Sequence, residues 1–335
     1  KLDLLVQQQT AEGWFPEIGH MDIGYTFLTV EFIAMAMELW GDWSEVQPFV
    51  RAFDFACEWV HPDITLGEEY GVCHNSYISR TAILLMSPFS GRAAFLRNLL
   101  EKKSCGFRGL APVLADDLRL LRWAYLPLLS WDYHRKHAVG KSADPVPIPL
   151  IEPQERFKLY NESGLVRMSC SGGTVVFAGV SGGLVRLFLG DASWTDAGYS
   201  LQCSSGFASH LTYDRNLQIF PFKQGWEMTC PIFPVQKFMP PFWARVLLRL
   251  LCFTSWSSRL TRRGIDLIRR LKGTAVNQSS YNLKTSKSPW ILRRHVIPNE
   301  GTFQIVDRLE FKQPVNREDL FFMEGSSGGI QPIPA

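Results

Sequence analysis

At 335 residues, 46% hydrophobic and 20% charged, the chain is long enough for two domains and too apolar to be disordered. Its net charge is +3, unevenly spread: residues 237–272 hold nine Lys or Arg against one Asp, a local +8 that leaves the remainder at −5. Seven scattered Cys without a CxxC pair argue against a thiolate zinc site and fit reduced thiols.

The first residues, Lys1 to Gln9, read as the middle of an amphipathic helix, with no Met start and no signal peptide. The sequence therefore suggests a fragment or processed product. The odd thiols favour a cytoplasmic or membrane-surface location, and the truncated start leaves the periplasm open. Ile23 to Trp40 is apolar with little alternation and predicts a largely buried helix. Val46, Phe49, Val50, Phe53, Cys57 and Val60 predict another, closed by Pro62.

The stretch from Gly67 to Pro88 gathers Tyr70, His74, Asn75, Tyr77 and Arg80 within eleven residues, ahead of an apolar helix from Ala82 to Met86. A Tyr and an Arg three apart at a loop-to-helix junction can face one pocket, where the cation favours the phenolate. The competing reading is a surface loop whose polar residues cap a helix. Glu68 and Glu69 are adjacent, would point apart, and make a poor acid/base pair. Further helices are expected over Ala93–Lys103 and Leu110–His137. Helices in pairs, joined by polar and aromatic loops, suggest an (α/α) toroid over residues 1–140, truncated at its start.

Residues 138–155 hold four Pro, and 141–155 are expected to be a linker or extended connection. From 156 to 330 the pattern turns to short strands. Gly164–Cys170, Thr174–Val180 and Leu184–Leu189 come first, with Gly pairs at 172–173 and 182–183 supplying hairpin turns. Gly198–Cys203, Phe207–Tyr213, Leu217–Phe222, Trp226–Cys230, Trp290–Ile297 and Thr302–Phe311 continue the series. This predicts an antiparallel β-sandwich, the second half of an α+β protein. The tail, SSGGIQPIPA, is expected to be loose.

The basic segment 237–272 would be an insertion between strands. Pro240-Pro241 starts a helix, and Phe242, Trp243, Val246, Leu247, Leu250, Leu251 and Phe253 form an apolar stripe flanked by Arg. Such a helix suits an anionic membrane interface, packing on the protein's own sandwich, or an acidic polysaccharide. No run of 18 uncharged apolar residues exists, so no spanning helix is expected. There is no G-x-S-x-G elbow, Walker loop or HExxH, and nothing calls for a metal, a redox cofactor or nucleic acid.

Three stretches carry a family resemblance. Glu12-Gly13-Trp14-Phe15-Pro16-Glu17 through Asp22-Ile23-Gly24-Tyr25, the loop Tyr77-Ile78-Ser79-Arg80-Thr81, and Asp196-Ala197-Gly198-Tyr199 with the strands that follow are similar to the heparinase II/III-like proteins. The third stretch resembles members encoded in bacterial exopolysaccharide clusters. The resemblance implies a helical toroid joined to a β-sandwich and β-elimination of an acidic, uronic-acid polysaccharide. It assigns Tyr77 as base and acid, Arg80 as its electrostatic partner, Trp14 and Tyr25 as stacking residues and Glu17 as a sugar-hydroxyl ligand. His74 and Asn75 are alternative neutralisers of the substrate carboxylate, from position and not from motif. Core packing explains Trp14 and Tyr25 equally simply. Active relatives also carry a sandwich His; here Gly190–Asp196 has none, and His210 falls on an expected strand. A glycoside hydrolase of the same architecture, with Glu17 and Asp22 as its acids, and a non-catalytic glycan-binding scaffold therefore stay open.

Overall fold

The computed structural model describes residues 2–17, 21–67, 70–71, 77–102, 132–133, 142–151, 157–170, 173–190, 192–203, 206–209, 219–222, 225–234, 290–299, 302–311, 320–324 and 330–332. The insertion 237–272, His74, Asn75, His210 and nearly all of Leu110–His137 lie outside them.

Among the described residues the helices come first: α1 (Leu2–Val6), α2 (Ile23–Trp40), α3 (Gln47–Cys57), α4 (Arg80–Met86) and α5 (Gly91–Lys102). Asp22 caps α2 by accepting from the Tyr25 N–H at 2.9 Å, and Gly41, at φ 68°, ends it in the left-handed conformation. Ser79 caps α4 in the same way through the Ala82 N–H. Helix α2 packs on α3 and α4, and α5 packs on α3 and α4. It is also long and apolar enough to cross a membrane, against the expectation that nothing here would be. Half of it is buried within the protein, Glu31 included, as in a core helix.

The strands are β1 (Phe157–Tyr160), β2 (Leu165–Cys170), β3 (Gly173–Ala178), β4 (Leu184–Leu189), β5 (Ala192–Cys203), β6 (Gly206–Ser209), β7 (Ile219–Phe222), β8 (Gly225–Pro234), β9 (Trp290–Asn299), β10 (Thr302–Phe311), β11 (Leu320–Glu324) and β12 (Ile330–Pro332). All pair antiparallel, in the order β1-β2-β3-β4-β5-β6-β8-β9-β10, with β7 on β8 and β11 bridging β5 to β12. The chain is thus a mixture of helices and antiparallel sheet.

Strand alternation explains how the parts stack. Leu165, Val176, Ala178 and Leu184 share one apolar core with α2–α5. Their neighbours Val166, Val175, Phe177 and Val185 point the other way and share a second core with Met228, Cys230, Leu292 and Val296 of β8 and β9. Strands β2–β4 are therefore covered on both faces, which is why β3 reads as almost continuously apolar.

The Pro-rich connection packs on the helices: Ala143 donates to the Ser87 carbonyl, Val146 to the Gly91 carbonyl, and Ile148 and Leu150 are buried. The tail is not wholly loose, because Ile330–Pro332 pairs with β11. Strands β8 and β9 pair directly, with Ile232 opposite Trp290.

Candidate functional site

Tyr77 sits just before α4, half-buried, and its hydroxyl donates to Glu31 Oε2 at 2.9 Å. Glu31 lies in the middle of α2 and is 0% exposed. Burial pushes its pKa up, opposed by the hydroxyls of Tyr77, Ser79 and Thr81. The helix-capping turn at Ser79 therefore aims three hydroxyls at one carboxyl. Arg80 begins α4 half-buried, and desolvation lowers its pKa without removing its charge.

The upstream stretch is more deeply packed. Trp14 is buried, and its indole N–H donates to Glu12 Oε2 at 3.0 Å. Tyr25 is half-buried on the first turn of α2. Glu17 is half-buried too; burial and then the Asp22 charge raise its pKa. Asp22 is itself buried and committed as a helix cap. Its backbone bridges to Gly71, where a Cβ would come within 2.5 Å of the Asp22 carboxylate, so only Gly fits there. This bridge ties the Tyr70 loop to the start of α2. Tyr77 is thus held at Glu31. Trp14, Glu17 and Tyr25 belong to a neighbouring stretch.

Sequence reasoning missed three groups. Glu31 was the first; a carboxylate inside a helix apolar on every face was the available signal. His61 was the second. It is buried, with Nδ1 2.9 Å from Thr65 Oγ1 and Nε2 3.2 Å from the Tyr70 hydroxyl. Its ring lies 4.8 Å from that of Phe188 on β4, so it sits where helices meet sheet. Burial, then the Arg186 charge, holds its pKa well below the usual histidine value. Its loop contains Ile64 at φ 63°, an unfavourable backbone for a β-branched residue.

Glu58, just past α3, was the third. Its carboxylate pairs with Arg92 and Arg167, and with Lys158 at 3.3 Å. Burial alone would raise its pKa, yet the cations prevail and lower it. Deeper in the sheet, Asp196 of the third resembling stretch pairs with Arg294 at 3.0 Å and accepts from the Gly198 N–H at 2.7 Å. No group of three His, Cys, Asp or Glu suited to a metal was found among the described residues. No family model, curated protein or solved structure matches the chain.

Proposed function

We propose that this chain is a heparinase II/III-like protein that cleaves an acidic polysaccharide by β-elimination, with Tyr77 as its proton-transfer residue. In this reading α2–α5 belong to an (α/α) toroid and the two faces of the sheet form a β-sandwich. The observation that carries it is the 2.9 Å hydrogen bond from Tyr77 to the buried Glu31.

The chemistry follows from that pair. The C5 proton of a uronate is weakly acidic, and its removal builds charge on the neighbouring carboxylate. As the Tyr77 oxygen takes that proton, its own proton passes to Glu31. The C5–H electron pair becomes the C4–C5 double bond, and the C4–O4 pair leaves with O4. Tyr77 then protonates O4 and recovers a proton from Glu31, closing the cycle. Arg80, the next charged residue, supplies positive field to the substrate carboxylate. A second reading, a glycan-binding protein without turnover, is favoured by one observation: Asp196, in the sandwich segment without His, is locked to Arg294.

Incubation with a panel of uronic-acid polymers, read by the ultraviolet absorbance of unsaturated uronate, tests the lyase. Tyr77→Phe should abolish the signal, and Glu31→Gln should lower it about 10²- to 10⁴-fold, the usual range for a general acid–base group. An unchanged rate in Tyr77→Phe would remove Tyr77 from the mechanism.

A further inference from the structure

Where α3 and the start of α5 face β1, a cavity of about 360 Å³ opens. That is the lower end of ligand-site volumes and suits a single sugar ring. Its acids are committed to partners within the protein. Glu58 is shared among Arg92, Arg167 and Lys158. Asp54 accepts from the Ser90 hydroxyl at 2.5 Å. Glu12 accepts from the backbone N–H groups of Glu162 and Ser163, and from Trp14. The Glu162 carboxylate, outside the lining, accepts from the Glu12 N–H.

The cavity's cations are at least partly exposed. Arg51 is exposed, and the Lys158 side chain is 37% exposed and the Arg92 side chain 20%. Tyr160 also lines the cavity. It is only 6% exposed, and its buried hydroxyl lies beside Glu58.

We infer that this cavity is a subsite for one acidic sugar unit. Lys158 and Arg51 hold the sugar carboxylate at the rim, with Arg92 behind them, and Tyr160 forms part of the wall. The inference rests on the acidic-polysaccharide reading, but it uses none of the residues assigned to proton transfer, and Tyr77 does not line this cavity. The carboxylate, and not the ring alone, selects the ligand, because Arg51, Lys158 and Arg92 are all at least partly exposed.

Calorimetric titration with a glucuronic-acid tetrasaccharide and with cellotetraose tests it. The wild type should bind the acidic probe, more weakly as salt rises, and bind cellotetraose poorly. Arg51→Gln with Lys158→Gln should weaken acidic binding about tenfold, as expected for two partly exposed charges. Tyr77→Phe should bind like the wild type. Equal binding of the two probes, or full affinity in the double variant, would overturn the subsite. If the double variant raises KM and leaves kcat alone, the subsite and the lyase both stand. Lost affinity without turnover in any form keeps the subsite and removes the lyase. Turnover that requires Tyr77, with KM unchanged in the double variant, does the reverse.

Discussion

Glu58 is a buried carboxylate among three cations; Arg294 is a buried cation between two carboxylates. Arg294 donates to Asp307 through Nε at 2.8 Å and Nη2 at 2.7 Å, to Asp196 at 3.0 Å, and to the Gly183 carbonyl at 2.8 Å. It is fully buried, and its pKa rises as its partners outweigh desolvation. Every arm of that guanidinium is used inside the sheet. Glu58 sits where helices meet sheet, and two of its three cations reach toward solvent. The same kind of ionic cluster is closed in one place and open in the other. The closed one fixes strands β5, β9 and β10 and the turn before β4 to each other, while the open one leaves charge for something outside the chain.

The largest effect should come from breaking the closed cluster. Arg294→Met strands two buried carboxylates, and such a break costs about 3–5 kcal/mol. Urea unfolding would measure it. Replacing Asp196 and Asp307 by Leu in the same protein should recover much of the loss, since apolar substitutes for a whole buried cluster are often neutral. A loss under about 1 kcal/mol in the single variant would mean that the guanidinium is not as sealed as its contacts indicate.

The two clusters should also answer acid with opposite signs. Glu58 titrates lower when folded than when unfolded, from an ordinary value of 4.5. Its contribution is therefore complete above about 4.5 and lost as pH falls through its folded pKa. Asp196 titrates higher when folded, because of burial, against an ordinary value of 3.8. Its carboxyl favours the folded state most when protonated, and that advantage fades as pH rises from about 3.8 through its folded pKa. Thermal melts between pH 3 and 6 should thus show a shallower acid loss in Glu58→Gln than in the wild type, and a steeper one in Asp196→Asn. Parallel curves for all three proteins would contradict this.

The contrast also explains what could be read beforehand. Helix α2 was legible as a long apolar run and α3 by its three- and four-residue apolar spacing, and β4 and β10 were bounded correctly by their apolar runs and turn glycines. Those signals are local. Strand β12 was missed because Ile330-Gln331-Pro332 has little strand character of its own and is held by pairing with β11. Glu58 was missed because its partners Arg92, Lys158 and Arg167 are distant in sequence, and no spacing rule reaches that far. Tyr77 was legible as a candidate, whereas its acceptor Glu31 is 46 residues away in the chain, on α2. Elements come from neighbours in sequence; the chemistry of a site comes from contacts between elements.

The smallest expected effect sharpens the comparison furthest. Lys158 lies 3.3 Å from Glu58 and 4.9 Å above the Tyr160 ring, with its side chain 37% exposed. Exposed pairs contribute about 0–1 kcal/mol, because water screens them and holding a long side chain in place costs entropy. Glu58 also keeps Arg92 and Arg167 when Lys158 is removed, so no buried charge is left alone. Lys158→Met, which keeps the aliphatic stem over Tyr160, should therefore cost less than about 1 kcal/mol in urea unfolding. Arg167→Met at the same carboxylate removes a fully buried partner and should cost several times more. A Lys158 variant as damaging as the Arg167 one would show that the open cluster is held as tightly as the closed one, and that its outermost cation serves the fold instead of a ligand.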